Sequence, residues 1–263
     1  MRGSMNTYKS VVISLIMLLV GAGCCSGMKS PPLPTAELVL SEDVKNAEIT
    51  KHIQNATVAF IIGPPREKSP YCAGVWIDES HILTAAHCAE ILGRTVFSID
   101  EEKEYDPVGD IAVFINHEDL RNGEIPQDFS WMGVVEKIDK EHDLALIKSV
   151  SNTSYHTTAL LATKNIQAGE MVHVMGHPIG LFWTYTRGVV AAIRNSTGPI
   201  LGDQLIQTKV VQVSAPIWVG NSGGGAFNAD GHLIGICSWI TLRAPSIGFF
   251  IHRDEIKKFL NSR

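Results

Sequence analysis

The chain has 263 residues, of which 45% are apolar and 19% charged, a length for one large domain or two small ones and a composition that excludes wholesale disorder. Net charge is −5 and the pI is near 6.0. No run of Lys and Arg supplies the basic face of a nucleic-acid binder, so nucleic acid is not an expected partner.

The first 27 residues read as a secretory signal. Arg2 and Lys9 stand ahead of and beside an apolar run over 11–20, too short to favour a membrane span. Gly21, Ala22 and Gly23 then lead into Cys24 and Cys25. Small residues directly before cysteine resemble a bacterial lipoprotein processing site, although Gly21 stands where a bulky residue is usual. Two outcomes stay open: lipid attachment at Cys24 (or Cys25), giving membrane attachment through that lipid, or cleavage that discards both cysteines. The expected location is exported in either case: periplasmic, extracellular or a membrane-anchored lipoprotein.

Residues 28–48 are expected to be a linker, its start kept extended by Pro31, Pro32 and Pro34. Loose helical spacing of Leu38, Val44, Ala47, Ile49 and Ile53 predicts a helix over 37–53. The folded unit is expected over 49–263, with one half at about 49–150 and the other at about 151–263. From Ala56 onward short apolar runs are broken by Gly, Pro and Asp. Strands are predicted over 58–62, 74–77, 81–84, 95–99, 111–115, 133–135 with 137–138, and 144–147. In the second half they are predicted over 171–175, 184–193, 205–213, 225–227, 232–240 and 248–251. Many short strands and few long helices point to barrels or a sandwich and disfavour a doubly wound α/β fold. A last helix over 254–260 places Ile256, Phe259 and Leu260 on one face, and no peptide-binding domain is expected after it. The acidic run 100–106 reads as a solvated hairpin tip, because its oxygen-bearing residues lack the spacing of a calcium loop.

Three segments carry chemistry: Thr84-Ala85-Ala86-His87-Cys88, Asp143-Leu144-Ala145-Leu146 and Gly220-Asn221-Ser222-Gly223-Gly224, about 50 to 80 residues apart. A serine hydroxyl is a poor nucleophile until a base removes its proton. His87 is the candidate base, since imidazole titrates near neutral pH and the small residues before it allow a tight turn. Asp143 opens an apolar strand, where a carboxylate needs a partner. Paired with His87, it would fix the tautomer and stabilise the imidazolium. Ser222 lies among glycines that suit a tight turn, in which the N–H groups of Gly220 and Ser222 converge as an oxyanion hole. The order His, Asp, Ser is one of the known triad orders. The same Gly-Asn-Ser-Gly-Gly string satisfies the G-x-S-x-G pattern of α/β-hydrolase esterases, but that elbow needs a strand-to-helix turn and the order Ser, Asp, His. A catalytically silent binding module is the second alternative, although such modules usually lose a catalytic residue. Cys237, within an apolar run, reads as a buried small hydrophobe without a His–Asp pair to activate it. Gly176 and Pro178 make a helical metal pair of His173 and His177 implausible.

From Ile49 to Arg263 these motifs resemble a chymotrypsin/trypsin-fold serine peptidase, closest to the HtrA/Deg-type bacterial branch. The narrower likeness rests on Asn221 before the serine, and on Val174-Met175-Gly176-His177-Pro178-Ile179-Gly180 followed by Arg187-Gly188-Val189-Val190. The resemblance implies an all-β fold of two six-stranded antiparallel barrels with a short C-terminal helix. It implies an exported serine endopeptidase acting on proteins or peptides through an acyl-enzyme, with no metal or cofactor. Asn221 cannot form the ion pair of zymogen activation, so none is expected. The branch's regulatory peptide-binding (PDZ) domain is not seen, Lys209 stands near where the branch often has an Asp, and Ile240 replaces a glycine. An oligomer is therefore not indicated. The resemblance also implies a Cys72–Cys88 disulfide, which fits an oxidising compartment. It walls the substrate pocket with Pro216, Ile217, Trp218 and Val219, with Cys237, Ser238, Trp239 and Ile240, and with Gly248, Phe249 and Phe250. No acid lies among these residues, so a small or apolar side chain is the expected occupant. Ser238 is also expected to hydrogen-bond Asp143.

Overall fold

The computed structural model describes residues 36–62, 69–97, 111–120, 131–151, 156–199, 205–241 and 246–262. The secretory signal with Cys24 and Cys25, and the acidic run 100–106, lie outside the described residues. Among the described residues no helix is long and apolar enough to cross a membrane.

Short apolar runs interrupted by turns give strands, several of them buried along nearly their whole length. In the first half these are β1 (Thr57–Ile62), β2 (Ser69–Trp76), β3 (His81–Thr84), β4 (Ile111–Asn116), β5 (Trp131–Asp139) and β6 (Leu144–Ser149). They close as β1-β2-β3-β6-β5-β4, all neighbours antiparallel. In the second half β7 (Met171–Gly176), β8 (Thr184–Pro199), β9 (Leu205–Val213), β10 (Gly225–Phe227), β11 (Leu233–Ile240) and β12 (Gly248–His252) close as β10-β11-β12-β9-β8-β7. Closure removes the free edges that an open sheet exposes. The expected pieces 133–135 and 137–138 are one strand, β5, whose pairing with β6 is irregular between Val135 and Lys137.

One predicted strand is wrong. Residues 95–97, expected to begin a strand over 95–99, end helix α2 (Ala86–Phe97) instead. Ala86, Ala89, Glu90 and Leu92 are good helix formers that start the helix around His87, and helix propagation carries the β-branched Thr95 and Val96 with it. Helix α1 (Ala36–Asn55) begins inside the stretch expected to be a linker. Its last turns belong to the body of the protein: Ile53 is fully buried, Ile49 nearly so, and Thr157 Oγ1 donates to His52 O at 2.9 Å. Helix α3 (Arg253–Asn261) closes the chain and buries Ile256 and Phe259.

Three apolar cores result. Barrel one is filled by Phe60, Trp76, Phe114, Ile82 and Ile147, and barrel two by Val172, Val174, Val211, Val213 and Phe250. A third core lies between them and takes Leu83, Ile115 and Leu144 from the first barrel and Met175, Phe227 and Ile236 from the second, with Ile53 of α1 and Ile256 of α3. Each fully buried side chain of this size contributes about 1.5–3 kcal/mol. The middle core therefore holds the two barrels in one arrangement, and the residues discussed next line that seam.

Candidate active site

His87 sits in the first turn of α2, held from two sides. Thr84 Oγ1, just before the turn, donates to Ala73 O at 2.8 Å. Cys88, just after His87, is disulfide-bonded to Cys72 on β2. Asp143 comes from the turn between β5 and β6, where its φ of 54° lies in the left-handed region. Aspartate tolerates that region better than most residues. The preceding turn is shaped by Asp139 Oδ1, which accepts from His142 N at 3.0 Å. His142 is half-buried, its ring 2.9 Å from Asp139, while Glu141 is exposed.

The Asp143 carboxylate is fully buried and well supplied with donors. Its Oδ1 accepts from His87 N at 3.0 Å, both oxygens lie 3.0 Å from His87 Nδ1, and Ser238 Oγ donates to Oδ2. Nδ1 is thereby occupied and Nε2 is the ring nitrogen left for chemistry. Burial pulls the His87 pKa down, but the Asp143 charge and hydrogen bond, helped by the Glu90 charge, outweigh it and leave the pKa raised above 6.5.

Ser222 reaches the same place from barrel two through its backbone. Its carbonyl accepts from Ala73 N at 2.8 Å, one residue from the disulfide that anchors Cys88. Gly223 has φ 77°, and a methyl group on it would lie 2.1 Å from Thr84 Oγ1 and 2.2 Å from Ala73 O. No other residue could press the serine turn this closely against the base-bearing segment. Gly224 N donates to Asn221 O at 2.9 Å, while Gly223 N and Cys237 N bond Cys237 O and Gly224 O, both at 2.8 Å. The half-buried Ser222 Oγ makes no hydrogen bond among the described residues, to His87 included. Gly220 has φ 100°, and neither its N–H nor that of Ser222 is spent on a protein acceptor among the described residues. Asn221, buried, donates to Trp218 O at 3.1 Å.

A match to the model of the trypsin-like peptidase domain spans residues 72–236. The chain belongs to the trypsin-like peptidase family. This member is 30% identical over 204 residues to the putative serine protease HhoA of Synechocystis, covering 76% of this chain and 45% of that protein. Over 128 residues it is 38% identical to human serine protease HTRA4, covering 48% of this chain and 26% of that protein. It thus spans under half the length of these curated relatives. In fold it is similar to the active form of a protease from M. tuberculosis, with TM-score 0.62, 18% identity and coverage of 91% of this chain and 93% of that one. An HtrA-type protease solved with a tripeptide gives TM-score 0.61 at 22% identity, over 82% of this chain and 62% of that one.

The pocket-lining residues of this trypsin-like chain take different parts. Ile217 is buried, and a methyl group on Gly248 would sit 2.3 Å from its Cδ1, so these two side walls nearly touch. Ser238 spends its hydroxyl on Asp143. Trp239 stacks on Phe249 with ring centroids 5.1 Å apart. Ile240 is half-buried, while Pro216, Trp218 and Val219 are exposed. Cys237 is buried and free, and burial, reinforced by the Asp143 charge, pushes its thiol far up, so it stays protonated. The cluster with metal-ligand spacing among the described residues is Cys72, His87 and Cys88, but its two sulfurs form the disulfide and offer no thiolate.

Within the string Gly176-His177-Pro178-Ile179-Gly180, His177 reads from the sequence as a turn residue. It is fully buried and works as a crossbar between barrels: Nδ1 accepts from Trp183 N at 3.0 Å, and Nε2 lies 3.1 Å from Val58 O of β1. Nε2 must therefore carry the proton. Burial pushes the pKa down to about 4, the Val58 bond opposing, so the ring is neutral. Trp183 Nε1 adds a second crossbar to Thr57 O at 3.0 Å. His177 N also donates to Gly220 O at 3.2 Å, which ties the crossbar to the serine turn. The glycine-proline-glycine pattern was the available signal; its role needed the other barrel.

Proposed function

We propose that the protein is an exported serine endopeptidase. The observation that carries this reading is the buried His87–Asp143 pair in one barrel with the Ser222 turn packed on the segment that leads into His87. Ser222 Oγ attacks the carbonyl carbon of the scissile bond as His87 Nε2 takes its proton. Asp143 holds the ring and stabilises the imidazolium without itself being protonated. The developing oxyanion receives the N–H groups of Gly220 and Ser222, each worth roughly 3–4 kcal/mol in the transition state. Collapse of the tetrahedral intermediate breaks the C–N bond, and His87 gives its proton to the departing amine. Water then repeats the cycle on the acyl-enzyme. Close approach of Ile217 to Gly248 favours a small or modest apolar side chain beside the scissile bond. Export is supported by the basic-then-apolar first 27 residues and by the disulfide, which needs an oxidising compartment.

The esterase alternative has no footing in the fold: Gly225–Phe227, directly after the serine turn, is a strand, and the sheets are closed antiparallel barrels. The test is covalent labelling by a fluorophosphonate together with cleavage of a peptide library. Labelling and cleavage should vanish in Ser222→Ala, with turnover down by about 10⁶-fold, and should survive in Cys237→Ala. Near-normal turnover in Ser222→Ala would overturn the assignment.

A further inference from the structure

We propose that Glu90 and Lys140 are a positioning pair for His87, an inference that rests on the peptidase reading and deepens it. Glu90 stands on α2 three residues, about one helical turn, beyond His87. Lys140 stands three residues before Asp143, in the turn that joins β5 to β6. Lys140 Nζ lies 2.9 Å from Glu90 Oε1, with the glutamate side chain only 7% exposed. The segments that carry His87 and Asp143 are therefore joined twice. One link is the hydrogen bonding of His87 N and Nδ1 to Asp143, and the other is this ion pair beside it.

Holding two segments together does not by itself require charge. Taking a carboxylate and an ammonium out of water costs about as much as their attraction returns, and an apolar pair of similar size would tie the segments at least as firmly. What an apolar pair lacks is a negative charge beside the base. Against the burial that pulls the His87 pKa down, the Glu90 charge adds to that of Asp143 in holding it above 6.5. The same charge favours the imidazolium that forms when Nε2 takes the serine proton. Lys140 acts through Glu90: it keeps the carboxylate ionised within the fold and directed between the two segments. The bond also restrains the turn in which Asp143 holds its φ of 54°. His87 on its own helix and Lys140 are the titratable groups that face Glu90. Strands β4, β5 and β6, which pack on α2, bring no other base within ion-pair distance of it among the described residues.

Three variants separate a charge that acts on His87 from a tie that merely holds the fold. They are Glu90→Gln, the apolar pair Glu90→Leu with Lys140→Met, and the reversed pair Glu90→Lys with Lys140→Glu. Each is followed by urea titration and by kcat and kcat/KM against pH on one peptide substrate. The base acts when neutral, so kcat/KM rises with pH through the His87 pKa. The apolar pair should keep the wild-type unfolding midpoint or exceed it, yet lose about threefold in kcat and move the rising limb to lower pH. The reversed pair keeps an ion pair but places an ammonium beside His87, so its limb should move further down than that of Glu90→Gln.

A wild-type kcat and limb in the apolar or the reversed pair would reduce Glu90 and Lys140 to a structural tie and overturn the proposal. Should both pairs fail to fold, Glu90→Gln, the closest in shape, decides alone, and an unshifted limb overturns the proposal. Each of these outcomes leaves the peptidase reading standing. Absence of Ser222-dependent cleavage in the wild-type protein would overturn both.

Discussion

The two barrels share a strand plan and divide the work differently. Barrel one is filled by Phe60, Trp76 and Phe114, is stapled by Cys72–Cys88, and presents His87 and Asp143, the proposed base and its carboxylate, already bonded. Barrel two is filled largely by valines, keeps Cys237 as a free thiol, and presents Ser222, the proposed nucleophile, on a glycine turn with its hydroxyl unbonded among the described residues. Electrostatic preorganisation is thus built into one barrel, and backbone shape into the other. Each supports its neighbour: Ser238 of barrel two donates to Asp143 of barrel one, and Ala73 of barrel one donates to the Ser222 carbonyl.

The strongest way to break this division is Asp143→Asn, which removes the charge that orients and stabilises His87. We expect about 10⁴-fold lower kcat with the fold retained, measured by turnover and circular dichroism. Next is the staple. Replacing Cys72 and Cys88 by alanine opens a loop of sequence separation 16 and should cost about 3 kcal/mol in denaturant titration. Dithiothreitol should then lower the Tm of wild type and leave that of the double variant alone.

A comparable effect should come from pH through His177. Its folded-state pKa of about 4 lies below the unfolded value near 6.5. The unfolded chain therefore binds the extra proton first. The stability is fully present above about pH 6.5 and falls as pH drops toward 4, by up to about 3 kcal/mol. His252, also held down to about 4 mainly by burial, acts in the same direction. His177→Gln should flatten part of this slope in unfolding midpoints followed against pH.

Ser238→Ala removes one donor from a carboxylate that keeps its bonds to His87, so kcat should fall by about tenfold, far less than in Asp143→Asn. The smallest expected effect sharpens the electrostatic side. Glu90 adds to the raised pKa of His87, so Glu90→Gln should move the rising limb of kcat/KM against pH downward, while the wild-type limb stays above 6.5.

Much of this was legible because the motifs are local. Thr84 to Cys88, Asp143 at the head of an apolar strand, and Ser222 among glycines each announce their chemistry within a few residues, and short apolar runs bounded by turn residues mark most strands. What escaped depended on partners far along the chain. Thr95–Phe97 look like strand, yet a helix nucleated at Ala86 runs through them. His177 looks like a turn residue until Val58, 119 positions earlier, accepts its hydrogen bond. Lys137 carries no motif, yet its ammonium group reaches Phe259 O at 2.5 Å and so fastens the β5–β6 hairpin, which bears Asp143, to the end of α3.

By itself the sequence determined which side chains could act as base, acid and nucleophile, because chemical competence resides in residue type and in the few neighbours that shape each turn. Only the tertiary structure decided how they are arranged: that both Asp143 oxygens face His87, that Gly223 can press against Thr84, and that His177 bridges to Val58 of the other barrel. Those are contacts between segments tens to more than a hundred residues apart, and their geometry is set by the packing of two barrels across a shared apolar seam.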